Sequence, residues 1–269
     1  MGESVESKGK DAARLVRGGA TLLAGSVLAD SAMEHYRGSF HNPAMTLPLV
    51  ASSALIAFNT TNAGGEGPRA ATHGAAIAIG LAGLGFHLFN VDKRPGGASF
   101  TNFFYGAPVG APGALLLAGA VSALADGLKR GQKAIGPVRI GSGRAAGALA
   151  AFGIAGTVAE AGLLHLRGAF HDPFMWAPVT LPPLAAASLA VDTIRAQPSR
   201  ISYGLLGATV ALGFIGVGFH SWGVARNMGG WRNWRQNLLA GPPIPAPPAF
   251  TALALVGLAA LLLMGRKGD

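Results

Sequence analysis

Long apolar stretches alternate with short polar segments along the whole chain. A helix that crosses the hydrocarbon core of a bilayer needs about 20 mostly apolar residues. Eight stretches meet or approach this length, and each is predicted to form a membrane-spanning helix. They cover residues 18–35, 45–61, 71–90, 104–128, 144–165, 176–194, 201–224 and 247–265.

The polar positions between these stretches occur twice. A motif with two histidines, an arginine and a proline runs through residues 35–45 and returns 130 positions later, at 165–175. Weaker matches at offsets of 133 and 135 positions relate residues 85–87 to 218–220 and residues 102–112 to 237–247. Because the offset drifts so little, the pattern indicates an internal duplication with small loop insertions.

Each half contains four predicted helices, so both halves enter the membrane in the same direction. The pattern therefore predicts an all-α integral membrane protein of eight transmembrane helices, with two parallel four-helix repeats related by a pseudo-two-fold axis along the membrane normal. The predicted segments are a cytoplasmic tail at 1–17, the first repeat at 18–128, a basic cytoplasmic linker at 129–143, the second repeat at 144–265 and a cytoplasmic C-terminus at 266–269.

Composition and charge fit a membrane protein. Half of the residues are hydrophobic and only 12% are charged, which is far from a soluble globular profile. With both termini inside, fourteen of the 21 Lys and Arg residues fall in inner segments and seven in outer loops. This positive-inside bias predicts a cytoplasmic (inner) membrane location with cytoplasmic N- and C-termini. No basic patch interleaved with aromatic residues indicates a nucleic-acid partner.

The chain has no cysteine. Disulfides, cysteine-ligated iron–sulfur clusters, thiolate zinc sites and cysteine nucleophiles are therefore excluded. The polar and charged first seventeen residues predict that no signal peptide is cleaved and that the first apolar stretch stays as a helix.

The candidate chemistry lies at repeated polar positions, which hold six of the seven histidines. Topology places all six at one membrane face, which the charge bias makes the periplasmic, outer one. Each half adds one arginine near its first histidine and one acid within the span, where a carboxylate is costly unless it is paired or functional. The residues are His35, His41, His87, His165, His171, His220, Arg37, Arg167, Asp30 and Glu160.

These residue types suit a redox site. Imidazole ligates haem iron and other metals, and a carboxylate beside it orients the ring or binds the metal itself. The hypothesis assigns the six histidines as ligands or proton carriers for haem b or a non-haem metal (iron or copper). It assigns Asp30 and Glu160 as direct ligands or as partners that hold the ligating histidines. Arg37 and Arg167 would bind haem propionates or the oxygens of a quinone. The six histidines either converge on the pseudo-two-fold axis or form two equivalent clusters.

A purely structural interpretation of the repeated motif is that it forms a helix-to-helix corner. Gly38 and Gly168 would then adopt positive φ, and Pro43 and Pro173 would start the next helices. Asn42 or Asp172 before the proline suits a turn or cap. The Gly/Pro-rich segments at 106–112 and 241–248 either line a pocket or lead into the following helices. Glu34 and His73 have no counterpart of the same kind in the second half and are interpreted as incidental.

The sequence thus predicts a membrane redox protein, or the membrane subunit of an electron-transfer complex, with a histidine-rich haem, metal or quinone site at the outer face. The predicted partners are the lipid bilayer and other membrane or periplasmic redox subunits. A proton- or metal-coupled transporter or channel is the first alternative, because intramembrane acids and broken helices also fit a carrier. A structural subunit of a membrane complex is the second.

Overall fold

The computed structural model describes residues 2–61, 63–135 and 139–265, and the protein is 81% helix. Its α-helices are α1 (Gly2–Arg37), α2 (Leu47–Thr60), α3 (Glu66–Asp92), α4 (Phe100–Tyr105), α5 (Gly110–Lys129), α6 (Ser142–Arg167), α7 (Ala177–Arg195), α8 (Arg200–Ala225), α9 (Trp234–Ala240) and α10 (Pro248–Met264). Helix α1 begins at Gly2, so the segment predicted as a tail belongs to the same continuous helix as the first apolar stretch.

Three short 3₁₀-helices and one minimal hairpin connect these helices. The 3₁₀-helices are Pro43–Thr46, Pro173–Trp176 and Gly230–Asn233. In the predicted linker, strand β1 (Ala134–Ile135) pairs antiparallel with strand β2 (Ile140–Gly141). The linker is therefore a compact connection between the two halves of the chain.

Six segments in the described chain are long and apolar enough to cross a membrane. They are Pro43–Thr60, Glu66–Asp92, Gly110–Lys129, Ser142–Arg167, Pro173–Arg195 and Arg200–Ala225. Helix α10 is apolar but has only 17 residues, and α1 falls outside the set because polar and charged residues such as Arg17 and Asp30 interrupt its apolar stretch. Six membrane-length helices place this all-helical protein in a lipid bilayer.

Four helices form the centre of the bundle. Helix α1 packs against α5 and α10, and α6 packs against the same two helices. Helices α2 and α3 lie outside the first half of this core, as α7 and α8 lie outside the second. In the span of α5, 56% of the residues are buried, against 17% in α3. The outer helices therefore expose large apolar side chains, including Phe86, Phe89 and Phe214, as lipid-facing helices do.

Glycine residues allow the outer helices to pack closely against the core helices. A Cβ atom at Gly80 of α3 would lie 2.6 Å from the backbone nitrogen of Leu116 in α5. A Cβ atom at Gly213 of α8 would lie 2.8 Å from the carbonyl oxygen of Pro247, beside α10. Small residues permit this close packing of membrane helices, and the two halves use it at corresponding positions.

The repeated histidines all lie near the end of the bundle where α1, α3, α6 and α8 finish, which we call the histidine end. His35 and His165 are in the last turns of α1 and α6. Four exposed tryptophans occupy the same end: Trp176, Trp222, Trp231 and Trp234. Tryptophan is enriched at membrane–water interfaces, so the histidine end fits the level of a bilayer surface.

Candidate functional site at the histidine end

The first helix-to-helix corner is closed by a histidine. The chain leaves α1 at Arg37 and turns through Ser39 and Phe40, which have φ of 58° and 46°. The amide of Phe40 then donates to the carbonyl of His35 over 3.0 Å. The ring of His35 reaches across the corner, with Nδ1 2.6 Å from the carbonyl oxygen of Met45.

The second corner repeats this geometry. Ala169 and Phe170 have φ of 54° and 46°, and Nδ1 of His165 lies 2.9 Å from the carbonyl oxygen of Met175. The imidazole and phenyl rings are 6.1 Å apart and nearly perpendicular in both corners. One local sequence therefore folds the same way twice.

The prediction that Gly38 and Gly168 adopt positive φ was wrong. The left-handed residues are the two that follow each glycine, and Gly168 itself has φ of −83°. Each glycine instead makes room for a methionine. A Cβ atom would lie 3.2 Å from Cε of Met45 at Gly38, and 2.9 Å from Cε of Met175 at Gly168.

The proline and cap predictions for the corners are confirmed. Pro43 and Pro173 occupy the first turns of the two 3₁₀-helices. The side chain of Asn42 accepts from the amide of Ala44, and that of Asp172 accepts from the amide of Phe174, each over 2.9 Å. Amide and carboxylate perform the same capping role here.

The third histidine of each half binds a Gly/Pro-rich segment. Nδ1 of His87 in α3 lies 2.5 Å from the carbonyl oxygen of Pro108. Nδ1 of His220 in α8 lies 2.7 Å from the carbonyl oxygen of Pro243. These segments interrupt the helical run between α4 and α5 and between α9 and α10, so each imidazole satisfies an irregular backbone carbonyl.

His41 and His171 bind within their own corners. Each Nδ1 lies 3.0 Å from a carbonyl oxygen, that of Gly38 or of Gly168. Both side chains are exposed, and Nε2 of His171 faces Nη2 of Arg226 over 3.5 Å. These two histidines stand apart from the four half-buried ones.

The hydrogen bonds fix the tautomer of all six rings. A carbonyl oxygen can only accept, so every Nδ1 carries a proton. In the neutral imidazole, Nε2 then holds the lone pair. Histidines that ligate metals commonly donate their other ring N–H to a backbone carbonyl in this way. The rings are therefore held in an orientation in which Nε2 can accept a hydrogen bond or ligate a metal.

Within each half, two of the three histidines lie close enough to act on each other electrostatically. His35 and His87 are electrostatic neighbours, as are His165 and His220. In the described part of the chain, no three His, Asp or Glu side chains are grouped so that they could hold a metal ion. The eight predicted ligands therefore do not form one metal-binding cluster in the described part of the chain.

The two intramembrane acids, one from each half, lie close enough for Glu160 to act electrostatically on Asp30. Their surroundings differ. Oε2 of Glu160 accepts from the amide of Gly110 at the start of α5, over 2.9 Å, and its Oε1 is buried without a hydrogen-bond partner. At the position equivalent to Gly110, the second half has Pro245, which has no N–H to offer Asp30. Ser26 donates to the Pro245 carbonyl instead, over 2.5 Å.

The two predicted arginines also cross between the halves. Nη2 of Arg37 donates to the carbonyl of Leu238 over 3.4 Å, and its Nη1 pairs with Glu34. Nη2 of Arg167 donates to the carbonyl of Phe103 over 3.2 Å. Phe103 and Leu238 are 135 positions apart, the offset of the third repeat match. The exchange is therefore reciprocal, with each arginine binding the α4 or α9 segment of the other half.

A buried ionic cluster at the opposite end was missed by sequence reasoning. Nε and Nη2 of Arg69 both donate to Asp126 over 2.7 Å, and Nη2 of Arg17 donates to the same carboxylate over 3.1 Å. Nε2 of His73 lies 3.8 Å from Asp126. We call these four residues the Asp126 cluster. Asp126 lies inside the predicted span 104–128, and an acid in a membrane span needs a partner. Its position could therefore have indicated the cluster from the sequence.

Comparisons with known proteins give no match to a protein-family model, to a curated protein or to a solved structure. An assignment of function therefore rests on the chemistry of the site.

Proposed function

We propose that this chain is an eight-span membrane redox protein that binds a redox cofactor at the histidine end. Helices α1 and α10 complete the eight spans beside the six membrane-length segments. The pseudo-two-fold arrangement of two parallel repeats is supported by the matched corners, the matched His–Pro contacts and the reciprocal arginines. The basic-residue bias supports cytoplasmic termini and a periplasmic histidine end.

The observation that carries the proposal is the orientation of the four half-buried histidines. His35, His87, His165 and His220 all commit Nδ1–H to a backbone carbonyl. In their neutral form, the four rings then present Nε2 atoms that accept a hydrogen bond or ligate a metal. Holding all four in this tautomer pre-organises the site for a ligand.

Of the three cofactor types considered, a quinone is best supported. Its oxygens need only hydrogen-bonding groups, which a pair of imidazoles and the arginines Arg37 and Arg167 supply. Haem b would take two of the Nε2 atoms as axial ligands. A non-haem iron or copper centre would need donors in addition to one histidine pair, since no three-residue group exists in the described chain.

The acids would handle protons. A quinol releases two protons and two electrons when it is oxidised to the quinone. The two protons would pass to the Nε2 atoms of a histidine pair and from there to Asp30 and Glu160, one each, where Oε1 of Glu160 has no other hydrogen-bond partner. The electrons would pass to a membrane or periplasmic redox subunit, as expected for the membrane subunit of a larger complex.

The first test is an optical spectrum of the detergent-purified protein, air-oxidised and then reduced with dithionite, with elemental analysis and quinone extraction on the same sample. Extracted quinone at near-stoichiometric level supports the preferred version. A Soret shift with α/β bands supports haem, and stoichiometric iron or copper without them supports a non-haem centre. A colourless, metal-free and quinone-free folded protein contradicts the redox proposal.

Variants show whether the paired histidines hold the cofactor. His87→Ala and His220→Ala should each lower the bound cofactor. His41→Ala is the matched control, because this exposed ring bonds only within its own corner. Equal loss in all three variants would contradict the assignment to the half-buried pairs.

A second candidate is a proton-coupled transporter, and the Asp126 cluster favours it. Buried ionisable side chains within membrane helices mark ion pathways, and this cluster lies in one half only. Asp30→Asn with Glu160→Gln separates the candidates. A carrier would lose coupled flux in liposomes, whereas a redox protein would lose or shift its cofactor signal. A structural subunit, the third candidate, would lose only complex formation or stability.

A further inference from the structure

A cavity lies at the end of the bundle opposite the histidines. It has a volume of about 470 Å³, which is within the usual size of a small-ligand site, ~300–1,000 Å³. Its walls come from the first half of α1, the end of α5, the following linker and the first residue of α6. We call it the basic pocket.

Five cationic side chains line the basic pocket: Lys10, Arg14, Arg17, Lys129 and Lys133. Gln132 and Ser142 add neutral polar groups, and no Asp or Glu is among its lining residues. Two acids of the described residues lie beside these lining cations. Asp11 lies 3.8 Å from Arg14, where both side chains are largely exposed, and Asp126 binds Arg17 from the buried side. The pocket is therefore a strongly cationic, partly enclosed space.

The depth of the basic pocket along the helices matches the surface of a bilayer. Arg17 is the last residue before the apolar stretch of α1, and Lys129 is the last residue of α5. The cations thus lie where the apolar spans end, at the level of lipid headgroups. Basic pockets between membrane helices at this level bind anionic headgroups.

We propose that the basic pocket binds the phosphate group of an anionic ligand. Arg17 and Lys129 at its wall would pair with the phosphate oxygens, while Arg14 and Lys133 add long-range attraction. Two sources of such a phosphate fit the geometry: the headgroup of an anionic phospholipid, or a free phosphorylated solute.

Most of the cations that line the basic pocket have no basic counterpart at the corresponding positions of the second half. The positions that correspond to Lys10, Arg17 and Lys129 hold Ile140, Gly147 and Met264. Arg144 corresponds to Arg14, but its guanidinium donates to the carbonyls of Thr193 and Ile194. The ligand site therefore belongs to one half of the duplicated fold.

The test uses the purified full-length chain in a neutral detergent and isothermal titration calorimetry. The probes are short-chain phosphatidylglycerol, phosphatidylcholine of the same chain length, and inorganic pyrophosphate. The pocket variant is Arg14→Gln with Lys133→Gln, which leaves the Arg17–Asp126 pair in place. The matched control is Arg195→Gln with Arg200→Gln, two exposed residues at the same end that do not line the pocket.

We expect one phosphatidylglycerol to bind per chain, and the pocket variant to weaken that binding about 30-fold, since each basic residue near the surface contributes about 1 kcal/mol. The control should bind as the unaltered protein does, and phosphatidylcholine should not bind. Pyrophosphate binding with the same dependence on the pocket variant, without phosphatidylglycerol binding, would also support the proposal and identify a free solute. No binding of either anion, or equal weakening in the control, would overturn it.

Discussion

The two halves of the chain are alike at the histidine end and different at the opposite end. At the histidine end, each half has a corner closed by a histidine and a second histidine on a proline carbonyl. At the opposite end, the first half has the Asp126 cluster. The second half has Gly147, Ser202, Leu206 and Leu261 at the positions of Arg17, Arg69, His73 and Asp126.

This difference distinguishes the structural features that the fold requires from those that it does not require. Both halves arrange five helices in the same neighbour order, so the corners and glycine contacts that they share are sufficient for that order. The second half achieves it without a counterpart of the Arg17, Arg69 and Asp126 ion pairs, and its own buried carboxylate at that end, Asp192, accepts from the amide of Ser199 over 2.8 Å. The Asp126 cluster is therefore a feature that the first half does not share with the second at the corresponding positions.

The largest expected effect comes from removing the carboxylate of that cluster. Asp126→Leu installs the residue of the second half and leaves Arg69, whose side chain is 10% exposed, without its anion. A buried charge that loses its partner costs roughly 3–5 kcal/mol. We expect a loss of that size in the free energy of unfolding, measured by circular dichroism during titration with sodium dodecyl sulfate.

The double variant Arg69→Ser with Asp126→Leu is the control for this interpretation. It removes the arginine that has lost its anion, and it gives both positions the residues that the second half has there. The double variant should therefore regain most of the lost stability. If the double variant is as unstable as Asp126→Leu alone, the fold of the first half requires the cluster. That result would contradict the inference that both halves fold by their shared contacts.

A smaller and symmetric effect is expected at the glycine contacts. Gly80→Ala and Gly213→Ala place a methyl group against backbone in α5 and beside α10, and overpacking of this kind costs about 1–3 kcal/mol. The two losses, measured by the same titration, should be similar. Gly85→Ala is the control, because no atom lies within 4 Å of the added Cβ. A loss in only one half would show that the halves pack differently.

The smallest expected effect tests the one asymmetry within the histidine end. Glu160→Gln weakens a charge-assisted bond from the Gly110 amide, for an expected loss of about 1 kcal/mol in unfolding free energy. Asp30→Asn should change it less, because Pro245 donates no hydrogen bond. Equal losses would mean that the two acids are equivalent despite their different surroundings.

Much of the fold was accessible from sequence because apolar length and internal repetition are local signals. The six membrane-length segments coincide with six of the predicted helices. Prolines and caps at the corners also followed from local chemistry. The positive φ of Ser39 and Phe40 was not predicted, because the positive φ was assigned to Gly38. Gly38 instead leaves room for the side chain of Met45.

The pairing of the site residues was less accessible. Sequence placed six histidines at one end, but the pairing of four of them depends on which helices are neighbours. The bond between Arg69 and Asp126 joins residues 57 positions apart, on helices whose contact no local pattern specifies. For the same reason, the sequence around Arg37 and Arg167 does not predict that each side chain binds the other half of the chain.

The most extensive helix contact in the described chain joins α1 to α10, the first helix to the last. Gly19 of α1 approaches so closely that a Cβ atom there would lie 2.6 Å from the carbonyl oxygen of Ala252. During synthesis α10 emerges after all the other described helices, so α1 has no native neighbour on that face until α10 has been made. The bundle therefore closes as a ring, and its first repeat reaches its finished packing only when the second has been made.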